Sequence, residues 1–208
     1  THSTPVTRHG AGIYDSGAAW SPDGTTIAFV RGTSDSAGRL YTVHPDGGAL
    51  AAMATSAHAS APAWSPDALT LAFASPTGYG GGILAMATAG GPVHTEVATP
   101  SGELTADLRD PAWSPDGASV AFSGRHGLYV ATAGRPAVRI ASALGAGHPS
   151  WSPDGLRLAF DALCTNCTTA GGRTLDRDVY TVGSDGSALV QLTNDPADDS
   201  SPAWRPIP

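Results

Sequence analysis

Five tryptophans constrain this chain more than any other feature. They stand at Trp20, Trp64, Trp113, Trp151 and Trp204, at intervals of 44, 49, 38 and 53 residues. Each belongs to one phrase. "AAWSPDGTTIAFV" covers 18–30, "PAWSPDALTLAFA" 62–74, "PAWSPDGASVAFSG" 111–124 and "PSWSPDGLRLAFD" 149–161, and the clipped copy "PAWRPIP" covers 202–208. Self-similarity at a period of about 20–50 residues marks a repeat architecture, in which each copy is one supersecondary unit that must bury a face against its neighbour.

One copy reads as four short strands. In Ser-Pro-Asp-Gly, proline presets φ at the second turn position and glycine accepts the turn's end. The turn therefore joins a strand ending at Trp-Ser to a second one. That second strand reads Ile27-Ala28-Phe29, Leu71-Ala72-Phe73, Val120-Ala121-Phe122 and Leu158-Ala159-Phe160. Large and small alternate at period two and neither face is polar, so both faces are covered by other sheets. A third strand follows at Leu40–Val43, Ile83–Met86, Leu128–Val130 and Val179–Val182. A weaker fourth follows at Leu50–Met53, Val93–Val97, Val138–Ile140 and Leu189–Leu192. Four antiparallel strands per repeat is one propeller blade, and the indole is a wedge between blades. The expectation is an all-β, single-domain propeller over 1–208. It has five blades with the closing blade incomplete or shared between the termini, or alternatively four. Trp204 supplies an innermost strand and "STPVTRHG" an outermost one, while the two middle strands are missing. A parent protein that extends before Thr1, or a second chain, could complete that open blade.

The phrase "WSPDG…IAF" and the stretch 178–204, "DVYTVGSDGSALVQLTNDPADDSSPAW", resemble the TolB-like propeller repeat of bacterial envelope proteins and of propellers attached to some peptidases. The resemblance implies the fold and a secreted or periplasmic setting. It leaves the activity open, because one fold hosts many functions.

In this strand order, the Ser-Pro-Asp-Gly turns lie on one face and the varied loops at 31–39, 75–82, 98–110 and 161–178 on the other. Longer, variable loops on a rigid scaffold carry recognition, so that face is the expected binding face. Asp15, His58, Asp110, His148, Asp198 and Asp199 precede the inner strands within six residues of a tryptophan. Imidazole and carboxylate converging on one axis could hold a divalent cation (Ca²⁺, Mn²⁺ or Zn²⁺), with Asp110, His148 and Asp199 as its ligands. The competing reading is that these groups cap turns. Cys164-Thr165-Asn166-Cys167 lacks the further ligands of a zinc site and reads as a local disulfide in an exported protein.

A net charge of −7 argues against a nucleic-acid partner, and no apolar run suits insertion into a membrane. No Gly-x-Ser-x-Gly elbow or phosphate-binding loop occurs. The favoured function is a non-catalytic binding or scaffold propeller that recognises a protein or glycan. The alternatives are a metal-dependent enzyme resembling a polysaccharide lyase and a propeller detached from a peptidase.

Overall fold

The computed structural model describes residues 4–33, 36–53, 58–75, 82–97, 108–164 and 176–204. The first sheet contains β1 (Ile13–Trp20), β2 (Ile27–Thr33), β3 (Ser36–Val43) and β4 (Ala51–Ala52). The second contains β5 (Ser60–Trp64), β6 (Thr70–Ser75), β7 (Gly82–Ala87) and β8 (His94–Thr95). The third contains β9 (Arg109–Trp113), β10 (Ser119–Gly124), β11 (Gly127–Thr132) and β12 (Val138–Ala141). The fourth contains β13 (Gly147–Trp151), β14 (Arg157–Leu163), β15 (Arg177–Gly183) and β16 (Val190–Gln191). Each sheet is an antiparallel meander in chain order. The first strands form the inner row, with β1 packed on β5, β5 on β9 and β9 on β13. These are the blades of a β-propeller.

The Ser-Pro-Asp turn explains the repeated register. In the four complete copies the serine hydroxyl donates to the aspartate Oδ1 at 2.5 Å. The same hydroxyl accepts the amide five residues on, at Thr26, Thr70, Ser119 and Arg157. Two strands are thereby locked with Trp20, Trp64, Trp113 and Trp151 opposite Ile27, Leu71, Val120 and Leu158.

Alternation along the second strand then builds the core. Val30 and Leu40 of the first sheet meet Phe73, Leu84 and Met86 of the second. Ala72, Ala74 and Ile83 of the second meet Val120, Phe122 and Tyr129 of the third. Ala121, Leu128 and Ile140 of the third meet Leu158, Phe160 and Val182 of the fourth. Phe73, Phe122 and Phe160 thus point back toward the preceding sheet, and Ala72 and Ala121 lie on faces that meet the following one. Three indoles also reach back. Trp64, Trp151 and Trp204 donate from Nε1 to the carbonyls of Ala19, Ala112 and Ser150, each at 3.0 Å. Trp113 Nε1 is buried and has no hydrogen-bond partner among the described residues.

The termini differ from the other copies. Residues 201–204 follow the fourth sheet as the start of another inner strand, but form no ladder among the described residues. Residues 4–12 contain no strand either, although a fourth strand is expected there. Their placement is nevertheless that of an outer strand. A Cβ on Gly47 would lie 2.9 Å from the carbonyl oxygen of Val6, and one on Gly186 would lie 3.2 Å from that of Ile140 in β12. Val6 therefore occupies, against the first sheet, the place that a preceding blade's outer strand occupies elsewhere. Among the described residues it forms no ladder.

Candidate functional site

One backbone irregularity recurs three residues before each tryptophan. Gly17, Ala61, Asp110, His148 and Ser201 all have left-handed φ, at 61°, 47°, 52°, 48° and 56°. The ladder registers shift beside this position in the four complete sheets. Such a bulge re-aims the local side chains and bends the inner strand. Among the six Asp and His residues singled out in the sequence, Asp110 and His148 occupy this position. The others lie five or six residues before their tryptophans.

Asp110 and His148 come together on adjacent inner strands. The His148 amide donates to Asp110 Oδ2 at 3.3 Å. The His148 ring, half exposed, sets its Nδ1 2.8 Å from Oδ1 of Asp161 in β14. Asp161 is fully buried. Its other oxygen accepts Arg177 Nε at 2.5 Å and also contacts Nη2 of the same guanidinium. The Arg177 Nη2 donates to the carbonyl of Gly145 at 2.7 Å, and the Ser201 amide donates to Asp161 Oδ1 at 3.2 Å. Gly147 makes this convergence possible. A Cβ there would lie 3.0 Å from Arg177 Nη2 and 3.6 Å from both Asp110 Oδ2 and Asp161 Oδ2.

Asp198 and Asp199 reach the same place through the backbone of β15. The Arg177 amide donates to Asp198 Oδ1 at 2.9 Å, and the Asp199 amide donates to the Arg177 carbonyl at 2.8 Å. Asp15 lies apart, in a bidentate pair with Arg31 at 2.7 Å for both bonds, and it also accepts Thr7 Oγ1 at 2.6 Å. The Arg31 hydrogen bonds hold the Asp15 carboxyl below the ordinary carboxylate range. His58 is tied by its amide to the Gly38 carbonyl. The expected set is thus split: four members gather at the β9–β13 end, and Asp15 and His58 sit elsewhere.

The two groups at the centre of this network, Asp161 and Arg177, were not among the residues singled out in the sequence. A signal did exist. The residue after the repeat phenylalanine is Val30, Ala74 or Ser123 in three copies and aspartate in the fourth. A carboxylate in that buried place needs a cation beside it.

With Asp161 facing Nδ1, a neutral His148 ring carries its proton there and leaves the Nε2 lone pair available, as in a second-sphere carboxylate–histidine pair. Among the described residues, however, no three His, Cys, Asp or Glu side chains are grouped to hold a metal ion. Asp199 contributes a backbone amide rather than a carboxylate contact. Nearby, Asp178 is buried and accepts Gln191 Nε2 at 2.9 Å and Thr193 Oγ1 at 3.3 Å. Burial pushes its carboxyl above the ordinary range. Asp176 is buried, and neither carboxylate oxygen has a hydrogen-bond partner among the described residues. Cys164 is buried and disulfide-bonded. Cys167, the other cysteine of the chain, lies outside the described residues, as do most of the loops at 75–82, 98–110 and 161–178.

Four antiparallel four-stranded sheets set side by side around their inner strands, with tryptophan wedges and Ser-Pro-Asp turns, define a TolB-like propeller fold. The comparisons agree. The structure of TolB from Agrobacterium tumefaciens superposes with a TM-score of 0.67 at 22% identity, over 85% of this chain and 64% of that one. TolB from Acinetobacter baumannii superposes at 0.68 with 19% identity, over 90% of this chain and 45% of that one. An oligogalacturonate lyase in complex with manganese superposes at 0.63 with 16% identity, over 91% and 55%. This chain therefore spans about half to two thirds of the length of these structures. No family model and no curated protein sequence matches it.

Proposed function

We propose that this chain is a non-catalytic binding propeller of the bacterial envelope or secreted fraction. It takes up a protein or glycan partner on the loop face, around Asp110, His148, Asp161 and Arg177. One observation carries this reading: the charges at the inner-strand mouth are already engaged with one another. Asp161 accepts from His148, Arg177 and the Ser201 amide at once, and Asp110 accepts from the His148 amide. Such a network is a pre-organised polar surface, and binding to it costs little ordering. The TolB-like fold and the disulfide-bonded Cys164 support an exported setting.

The test pans the immobilised chain against a peptide-display library and a glycan array. Ligands retained by the wild type should be lost with His148→Ala and Asp110→Arg, and kept with Asp67→Arg on the turn face. Retention by both mouth variants overturns the assignment. A parallel assay mixes the chain with oligogalacturonate and Mn²⁺ and follows the absorbance of unsaturated product. Turnover, or a melting temperature that falls on chelation, would establish the metal-dependent alternative, because a metal bound to the native state raises its stability.

A further inference from the structure

The junction between the first and second sheets changes character along its length. Near its middle it is apolar, where Val30 and Leu40 meet Phe73 and Met86. At its turn-face end it holds a cavity of about 430 Å³, lined by Asp23, Thr26, Thr42 and His44 on one side and by Trp64 and Thr88 on the other. The copies differ at this level. The residue paired with the second-strand alanine is Thr42 in the first sheet, Ala85 in the second and Val130 in the third. Two residues further along stand His44, Ala87 and Thr132. Thr132 turns its hydroxyl onto that of Ser119 at 2.9 Å, within its own sheet. His44, by contrast, is exposed and lines the cavity.

Two of the lining groups are fixed by bonds of their own. Asp23 Oδ1 accepts the Ser21 hydroxyl at 2.5 Å, and the Thr25 hydroxyl and amide at 2.9 and 3.0 Å. The Ser21 bond above all, then those of Thr25, hold the carboxyl below its ordinary range. All three bonds fall on one oxygen, so Oδ2 can accept from a ligand. Across the cavity, the half-buried Trp64 ring is oriented by its Nε1 bond to the Ala19 carbonyl at 3.0 Å. The Thr88 hydroxyl donates to the Ala68 carbonyl at 3.0 Å and keeps its lone pairs as acceptors.

We propose that this cavity binds one pyranose unit, either a free sugar or the terminal residue of a glycan, with its C–H face on Trp64 and its hydroxyls on Asp23, Thr42 and His44. The lining selects that class. A fixed aromatic plane favours a flat apolar patch. Hydroxyl and imidazole groups favour a rim that both donates and accepts. The Asp23 carboxylate repels phosphates and other anions. Small-molecule sites run from about 300 to 1,000 Å³, and this one is near the lower end, which suits a single ring. Since Asp23 and Trp64 are already held in place, binding costs little ordering. The site lies at the opposite end of the inner strands from the mouth and does not depend on the partner proposed there.

The test titrates the 208-residue chain with glucose, galactose, mannose and N-acetylglucosamine, and with the methyl glycoside of each, following the indole N–H resonances. At least one sugar should saturate in the millimolar range and shift the Trp64 signal while leaving that of Trp151 in place. Equal binding of its methyl glycoside shows that a glycan end fits, and binding of the free sugar alone identifies a soluble monosaccharide; the proposal expects one or the other. Thr42→Val, which keeps the side chain's shape, and His44→Ala should each weaken binding roughly three- to tenfold. Melting temperatures of both variants, measured first, establish that they fold. Complexes this weak dissociate on washing, so ligands retained in the panning experiment report on the mouth instead. No shift of the Trp64 signal with any sugar, equal binding of sorbitol, which has the hydroxyls without the ring, or unchanged affinity in both variants overturns the proposal. So does loss of the sugar with His148→Ala, which would place it at the mouth.

Discussion

Ala68 stands where the other three complete turns have Gly24, Gly117 and Gly155, and it adopts the same left-handed backbone, with φ of 60°. A Cβ in that conformation crowds the following carbonyl at a cost of about 1–2 kcal/mol, partly offset by the greater unfolded-state freedom of glycine. Ala68→Gly should therefore raise the melting temperature by roughly 2–4 °C in a calorimetric scan. Asp178 poses the opposite kind of residue problem. Burial, together with the nearby charges of Asp176 and Asp199, raises its carboxyl, so the folded state binds this proton more tightly than the unfolded chain does. The associated stability is present below the ordinary carboxylate value of 3.8 and is lost as the pH rises through the folded value. Asp178→Asn should accordingly stabilise the protein near neutral pH, with the gain shrinking as the pH falls to about 4. Melting curves of the two proteins across that range check it, and an equal gain at every pH would count against burial of the charge as the cause.

At the scale of the element, the hairpin was the most legible part of the chain. Serine, proline, aspartate and glycine each have a separate mechanical role in the turn, so four residues specify its geometry without help from distant contacts. Ser114→Ala removes both the donor to Asp116 and the acceptor for the Ser119 amide. It should cost about 1–2 kcal/mol, read from denaturant midpoints. The fourth strands were placed correctly but are short, two residues in three of the sheets, because an outer strand pairs on one side only. The inner-strand bulge was not legible. Five different residues, Gly17, Ala61, Asp110, His148 and Ser201, share one backbone conformation, and no common side chain announces it. For the same reason the six candidate Asp and His residues could not be sorted by sequence offset, and Asp161 found its cation only through the pairing of β14 with β15. That pair can be tested. Arg177→Met strips the guanidinium from a fully buried carboxylate and should cost about 3 kcal/mol, or roughly 6–12 °C in melting temperature.

At the scale of the whole molecule, the periodic tryptophans were enough to set the architecture, because a unit that hides one face only on its neighbour must stack. The stack is also directional. Each bonded indole reaches toward the amino-terminal side, to the carbonyl of the residue before the preceding sheet's tryptophan. Losses from the two ends are therefore not equivalent. Removing the last sheet forfeits the bonds of Trp151 and Trp204 and leaves Trp64 anchored. Removing the first strips Trp64 and turns the second sheet into a new bare front. Damage should travel one way along this protein, from its leading edge toward its tail.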